Sequence, residues 1–262
     1  MLTGVAGWPV AHSRSPAMHN AAFAALGMEG WLYTRLPISP ELFEETVSAL
    51  AGSGYRGVNV TIPHKEAALA VADSRSATAA AIGAANTLTF TPEGGIEAEN
   101  TDAPGFLDAI GAPLAGRSVL VLGAGGAARA VVWAAREAGA SHVYVWNRTT
   151  ARARLLAADF GVEAVVRARP ADVVVNTTAV GLTGSASDLP LPDSGEPEMV
   201  ADLVYGPSDP PVTTWGRERG ARVTDGLEVL VRQGARSFVR WTGEDAPLDI
   251  MREAVRTAGA AR

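Results

Sequence analysis

Apolar residues along the chain fall into two kinds of stretch, short unbroken runs and longer segments in which they recur every three or four positions. The first is the mark of strands buried in a sheet and the second of amphipathic helices. Their alternation predicts an α/β protein with mainly parallel sheets. Strands are expected at 31–36, 57–62 and 86–91, then at 118–122, 143–146, 171–176, 199–204 and 222–224. Val119-Leu120-Val121-Leu122 has no polar interruption, as expected of a strand covered on both faces. One helix is expected over 15–27, with Ser15 as N-cap and Pro16 in the first helical position, and a second opens the same way at Ser39-Pro40 and ends near Gly52. Others are expected over 64–73, 103–110, 226–243 and 247–258, with an alanine-rich helix ending near Ala138. The junction near Ala103 is not rich in Gly or Ser, so two domains joined by helices are expected there.

Between the strand at 118–122 and the alanine-rich helix lies Gly123-Ala124-Gly125-Gly126-Ala127-Ala128. It fits G-x-G-x-x-G/A: a glycine for the tight turn, another where a pyrophosphate approaches the backbone, and a small residue where helix and strand pack closely. Strand–turn–helix context makes this a dinucleotide site. An NAD site would carry an acid about twenty residues further on to hold the ribose 2'-hydroxyl. Here the chain reads Asn147-Arg148-Thr149, with Arg152 one helical turn later. Two guanidinium groups and a hydroxyl suit a 2'-phosphate that an acid would repel, so the expected cofactor is NADP(H).

Composition narrows the remaining choices. Of 262 residues, 47% are apolar and 19% charged, which is ordinary for a folded chain. A net charge of -6 with no basic tail argues against nucleic-acid binding. The absence of cysteine excludes disulfides and thiolate chemistry, and no metal site is expected. No apolar run reaches membrane-spanning length and residues 1–20 lack a signal-peptide pattern, so the cytoplasm is the default location. Of the 22 Lys and Arg residues only Lys65 is lysine. Arginine holds its proton at any working pH, whereas lysine is able to exchange one, so Lys65 is the candidate for proton transfer.

Polar clusters stand where predicted strands end or helices begin: His12-Ser13-Arg14-Ser15-Pro16, Asn59-Val60-Thr61-Ile62-Pro63-His64-Lys65, Gly83-Ala84-Ala85-Asn86-Thr87 and Asn100-Thr101-Asp102. Together they offer hydroxyls, amides, one cation and one carboxylate, a set suited to a small polyhydroxylated substrate. Ser15 and Asp102 also stand where a helix cap is wanted.

With these motifs, the Gly-Ala-Gly-Gly turn, Asn-Arg-Thr and Gln233 after Gly226-Leu227, the chain resembles the shikimate dehydrogenase family over nearly its whole length. The resemblance implies reversible reduction of 3-dehydroshikimate to shikimate by NADPH. It implies an α/β substrate domain, 1–102, completed by C-terminal helices in 227–262, and a Rossmann NADP-binding domain, 103–226. Carried over by motif, Lys65 and Asp102 form the catalytic pair. Ser13, Ser15, Asn59, Thr61, Asn86, Tyr205 and Gln233 contact or approach substrate, and Gly123, Ala124, Gly125, Gly126, Ala127, Asn147, Arg148, Thr149, Arg152 and Gly226 serve the cofactor. The implied partner is a small molecule, shikimate or 3-dehydroshikimate, and a homodimer is left open. A quinate/shikimate or aminoshikimate dehydrogenase and a non-catalytic NADP- or shikimate-binding regulator are the alternatives. The chain departs from the family pattern at Asn176-Thr177-Thr178-Ala179 and at Val229-Leu230.

Overall fold

The first sheet is built outward from a strand that the hydrophobic pattern does not predict. Leu2–Gly7 (β1) lies between Leu32–Pro37 (β2) and Tyr55–Val60 (β3), parallel to both. Between β1 and β2 runs Ser15–Ala25 (α1), and a 3-10 turn, Pro40–Leu42, leads into Phe43–Ala51 (α2). After β3 come Lys65–Val71 (α3), the short Ser74–Arg75 (β4) and Ala77–Ile82 (α4). Thr87–Phe90 (β5) and Ile96–Glu99 (β6) form a hairpin closed by the Thr91 N–H to Gly95 carbonyl bond, and β5 runs antiparallel to β3. The order is β2-β1-β3-β5-β6-β4, a mixed sheet. The hairpin explains the departure from a parallel sheet, because so short a connection has no room for a crossover helix.

Asp102–Ile110 (α5) leads to a second sheet. Its elements in chain order are Ser118–Leu122 (β7), Gly126–Glu137 (α6), His142–Trp146 (β8), Thr150–Phe160 (α7), Glu163–Ala164 (β9), Val173–Asn176 (β10), Met199–Asp202 (β11), Pro211–Glu218 (α8) and Arg222–Thr224 (β12). All pairings are parallel, in the order β12-β11-β10-β7-β8-β9. The order reverses between β7 and β10, and in such open sheets ligands bind beyond the carboxyl ends at that reversal. Val119, Leu120, Val121, Leu122, Val173, Val174 and Val175 have no exposed surface, as a two-sided core requires. Gly226–Thr242 (α9) and Leu248–Ala260 (α10) complete the chain.

The structure, a computed structural model, describes residues 1–181, 189–206 and 210–260. Two compact units emerge: Met1–Gly105 with Val231–Arg262, and Phe106–Leu230. The chain passes from one to the other inside α5 and returns inside α9. Among the described residues no helix is long and apolar enough to cross a membrane.

One local expectation needs correction. Ser15 is not the cap of α1. It is the first helical residue, Arg14 holds the cap position, and no side chain caps the helix. The Ser15 hydroxyl instead accepts a bond from the Ser13 hydroxyl at 3.2 Å, and the Ser13 oxygen accepts the Ser15 N–H.

Candidate active site

Lys65 is the first residue of α3 and Asp102 the first of α5. Both helices begin where a sheet strand has just ended, which brings their first turns together. Lys65 Nζ donates to Asp102 Oδ2 at 2.6 Å, and the two side chains are only 13% and 12% exposed. Asp102 has no capping duty, because Asn100 Oδ1 accepts the Ala103 N–H. Its carboxylate is therefore available to hold the ammonium group through a charge-assisted bond.

Asn86 sets the carboxylate. Its Nδ2 lies within hydrogen-bond reach of Asp102 Oδ1 at 2.9 Å, Thr101 Oγ1 at 2.9 Å and Gln233 Oε1 at 3.1 Å. Its Oδ1 accepts the Thr101 N–H at 2.7 Å. Asn59 is held as tightly. Tyr33 Oη donates to its Oδ1 at 2.8 Å, and its Nδ2 faces Ser237 Oγ at 2.8 Å, Thr87 Oγ1 at 3.1 Å and the Asn86 carbonyl at 3.2 Å. Asn59, Asn86, Thr87, Thr101, Gln233 and Ser237 are all buried, so a lost partner leaves a desolvated polar group and costs about 1–3 kcal/mol. Thr61, half-buried, donates its N–H to the Ala6 carbonyl just past β3. Ser13 and Ser15 sit together at the start of α1, where Arg35 grips the Ser13 carbonyl through Nε at 3.1 Å and Nη2 at 2.7 Å.

Of the residues expected from sequence in the first unit, Lys65, Asp102, Asn86, Asn59 and Gln233 thus join one hydrogen-bonded cluster. Ser13 and Ser15 form a separate pair, and Thr61 lies on the segment leading to Lys65. Ser237, Tyr33, Thr87 and Thr101 belong to the cluster and are not among the expected residues. Ser237 had a signal: it stands four residues after Gln233 and four before Trp241, one stripe of α9. Trp241 Nε1 donates to the Leu88 carbonyl from the same stripe.

Two histidines of this unit, His64 and His19, have packing roles. His64 is buried, stacked on Phe43 at 4.4 Å, with Nε2 at 2.8 Å from the Ile38 carbonyl, and burial lowers its pKa. His19 is wholly buried against Tyr33, in a parallel stack at 4.3 Å, and burial pushes its pKa down to about 3.

In the second unit the glycine turn is shaped for an anion. Gly123 has φ +122°, left-handed backbone, and a Cβ there would meet Thr177 Oγ1 at 2.3 Å. Gly125 caps α6, is exposed, and has nothing within 4 Å of where a Cβ would stand. Ala124, Gly126 and Ala127 are half-buried beside it, while Ala128 is buried where helix meets strand. The α6 N-terminus is thus open with its first N–H groups unused by any side chain, the arrangement that accepts a phosphate. Beyond β8, Asn147 Nδ2 donates to the Thr149 carbonyl, and Arg148, Thr149 and Arg152 are exposed. Neither arginine makes an ion pair among the described residues. These residues fit a dinucleotide carrying a 2'-phosphate. Gly226 opens α9 hard against the β11 exit loop, where a Cβ would lie 2.4 Å from the Val204 carbonyl. Tyr205, half-buried, lies in that loop. Among the described residues no group of three or more acidic or histidine side chains could hold a metal ion.

Comparison with known proteins places the chain among relatives. A family profile described as the shikimate dehydrogenase substrate binding domain matches residues 5–88, one described as shikimate / quinate 5-dehydrogenase matches 107–202, and a shikimate 5'-dehydrogenase C-terminal domain matches 226–256. The chain is 48% identical to a shikimate dehydrogenase (NADP(+)) of Thermus thermophilus, over 97% of each chain. It is 43% identical to that of Methanothermobacter thermautotrophicus, over 97% of this chain and 95% of the relative. A crystal structure of shikimate 5-dehydrogenase from Thermus thermophilus in complex with NADP(H) and shikimate superposes with a TM-score of 0.90 at 44% identity, covering 98% of this chain and 99% of that one.

Proposed function

The chain belongs to the shikimate dehydrogenase family, and we propose that Lys65 and Asp102 are the residues that handle the proton in its reaction. The enzyme interconverts 3-dehydroshikimate and shikimate with NADP(H) as cofactor. The first unit is the substrate domain and the second the cofactor domain.

The observation that carries the reading is the Lys65–Asp102 contact at 2.6 Å, backed by Asn86. NADPH, when bound, supplies the hydride. Lys65 Nζ gives its proton to the carbonyl oxygen of 3-dehydroshikimate as that oxygen becomes a hydroxyl, and takes a proton back in the oxidative direction. Asp102 Oδ2 fixes the direction of the Nζ–H bonds, and Asn86 fixes Asp102 through Oδ1. The buried amides of Asn59 and Gln233 brace this arrangement, and the Ser13 and Ser15 hydroxyls and Thr61 bind substrate oxygens. The open α6 N-terminus holds the pyrophosphate, and Arg148, Thr149 and Arg152 grip the 2'-phosphate. Ala124, Gly126 and Ala127 shape that turn. The same reading puts the enzyme in the cytoplasm and leaves a homodimer open, which sedimentation velocity measures.

The direct test is reduction of NADP+ at 340 nm with shikimate, beside quinate and beside NAD+. Turnover of shikimate with NADP+ is expected to have the largest kcat/KM. A larger value for quinate or for NAD+ refutes the assignment, and binding of both ligands without turnover favours a regulator.

A further inference from the structure

Strand β11 ends in a carboxyl, that of Asp202, with no part in the chemistry above. Asp202 has no exposed surface and is the last residue of β11, in register with Asn176, the last of β10. Asn176 Nδ2 approaches both carboxylate oxygens, at 3.0 and 3.1 Å, and the Val204 N–H donates to Oδ1 at 2.8 Å. Burial pushes this carboxyl up to about 7, against the N–H groups that favour its charge. A buried carboxyl is costly to keep, and its links explain what keeps it.

The Asp202 contacts orient the Asn176 amide so that its Oδ1 points the other way. That oxygen accepts the Thr178 N–H at 3.0 Å and the Thr178 hydroxyl at 2.7 Å, and Thr178 Oγ1 in turn accepts the Val180 N–H at 3.2 Å. Thr177, between them, donates to the Leu122 carbonyl at 2.8 Å. Its hydroxyl is the group that stands over Gly123. A chain of contacts therefore runs from Asp202 through Asn176 and the 177–178 turn to the glycine turn, all at the carboxyl edge of one sheet.

We propose that Asp202 is a positioning residue for NADP(H): by fixing the Asn176 amide it sets the 177–178 turn against the glycine turn that receives the pyrophosphate. The inference rests on the reading of the second unit as the cofactor domain. It assigns a purpose to the departure at Asn176-Thr177-Thr178, where each hydroxyl has a place in the chain of contacts.

The test is calorimetric titration of NADP+ into the full chain, with steady-state kinetics beside it. Asp202→Ala is expected to weaken NADP+ binding roughly ten-fold while the KM for shikimate at saturating NADP+ stays within about two-fold. Asn176→Ala is expected to do the same, and the double variant to be no worse than either single, because each breaks the same link. Asp202→Asn keeps an acceptor for the Val204 N–H but places an amide against an amide, so an intermediate loss is expected, and this variant carries the test should the alanine variant fail to fold. Wild-type affinity in a folded Asp202 variant overturns the proposal. So do additive losses in the double variant, or equal rises in both KM values. Failure of the wild-type chain to bind NADP+ would overturn the cofactor-domain reading instead.

Discussion

Gly105 lies inside α5, where alanine would ordinarily stabilise a helix by about 1 kcal/mol. Its surroundings reverse that sign. A Cβ at this position would stand 2.7 Å from the N, Cα and Cβ of Gln233, where ordinary contact begins at 3.4 Å. These atoms are backbone or fixed to it, so α9 must move away from α5. The Asn86–Gln233 bond, now 3.1 Å, would open by a comparable amount and pass out of hydrogen-bond range. Overpacking costs about 1–3 kcal/mol and a lost buried bond about 0.5–1.5 kcal/mol. Against the helix gain, Gly105→Ala is expected to destabilise by about 1–3 kcal/mol, a fall in Tm of roughly 2–12 °C. Thermal unfolding followed by circular dichroism measures it. Because Asn86 also holds Asp102, the KM for shikimate should rise several-fold when NADP+ is saturating. A variant that melts above wild type with an unchanged KM would show that helix propensity governs the position and that the Gln233 contact has no role in the site.

Asp102→Asn is expected to lower kcat by ~10²–10⁴, and Lys65→Arg by a similar factor, since arginine keeps the charge without exchanging the proton; near-normal kcat in stopped-flow assays of Lys65→Arg would remove the proton-transfer role. Arg148→Ala is expected to raise the KM for NADPH at least ten-fold and leave that for NADH nearly unchanged, a ~1.4 kcal/mol loss confined to the 2'-phosphate; equal changes for both cofactors would refute the contact. The two large pKa shifts act in opposite directions. The folded state keeps the Asp202 proton up to about pH 7 while the unfolded chain loses it near 4, so the second unit loses stability as pH rises from about 4 to 7, by up to ~4 kcal/mol. His19 stays neutral down to about 3 while the unfolded chain takes up its proton near 6.5, so the first unit loses stability as pH falls below about 6.5. Calorimetry of wild type and Asp202→Asn from pH 4 to 8 should therefore show the second unit's slope vanish in the variant, and an unchanged slope would refute the assignment.

The central strands of the second sheet, β7, β10 and β11, were legible because they are buried on both faces, and Val119 to Leu122 needs no interpretation. β1 was not, although it lies between two parallel partners in its sheet. Gly4 and Gly7 break its apolar run, yet packing demands them: a Cβ at Gly4 would lie 2.9 Å from the Thr34 carbonyl, and one at Gly7 2.4 Å from Thr61 Cγ2. Close approach between neighbouring backbones thus erases the pattern that marks a strand. β4 and β9, two residues each, are too short to show a period, and β6 has only two apolar residues, Ile96 and Ala98, too few to mark a strand. At the site, Lys65 and Asp102 could be singled out by residue type and motif. Ser237 and Tyr33 could not, because a serine on a helix and a tyrosine on a strand have many ordinary uses, and only tertiary packing joins them to Asn59.

What the cluster does with its amides bears on why Lys65 is the one lysine. Asn86 has its amide nitrogen facing three acceptors and its oxygen on a backbone N–H, and Asn59 is engaged on both sides as well. Groups so engaged fix positions; they have little capacity left to move. The Lys65 ammonium has three protons and a flexible stem, and one protein acceptor at 2.6 Å. It is the group in the cluster with protons still to direct elsewhere. An arginine there would bind the carboxylate with a planar fork and keep every proton. Elsewhere in the chain arginine serves well, as at Arg35 on the Ser13 carbonyl, where only a fixed donor is needed. The division follows the physics of the two side chains: arginine where a geometry is held, lysine at the single position where, in the proposed reaction, a proton leaves and returns.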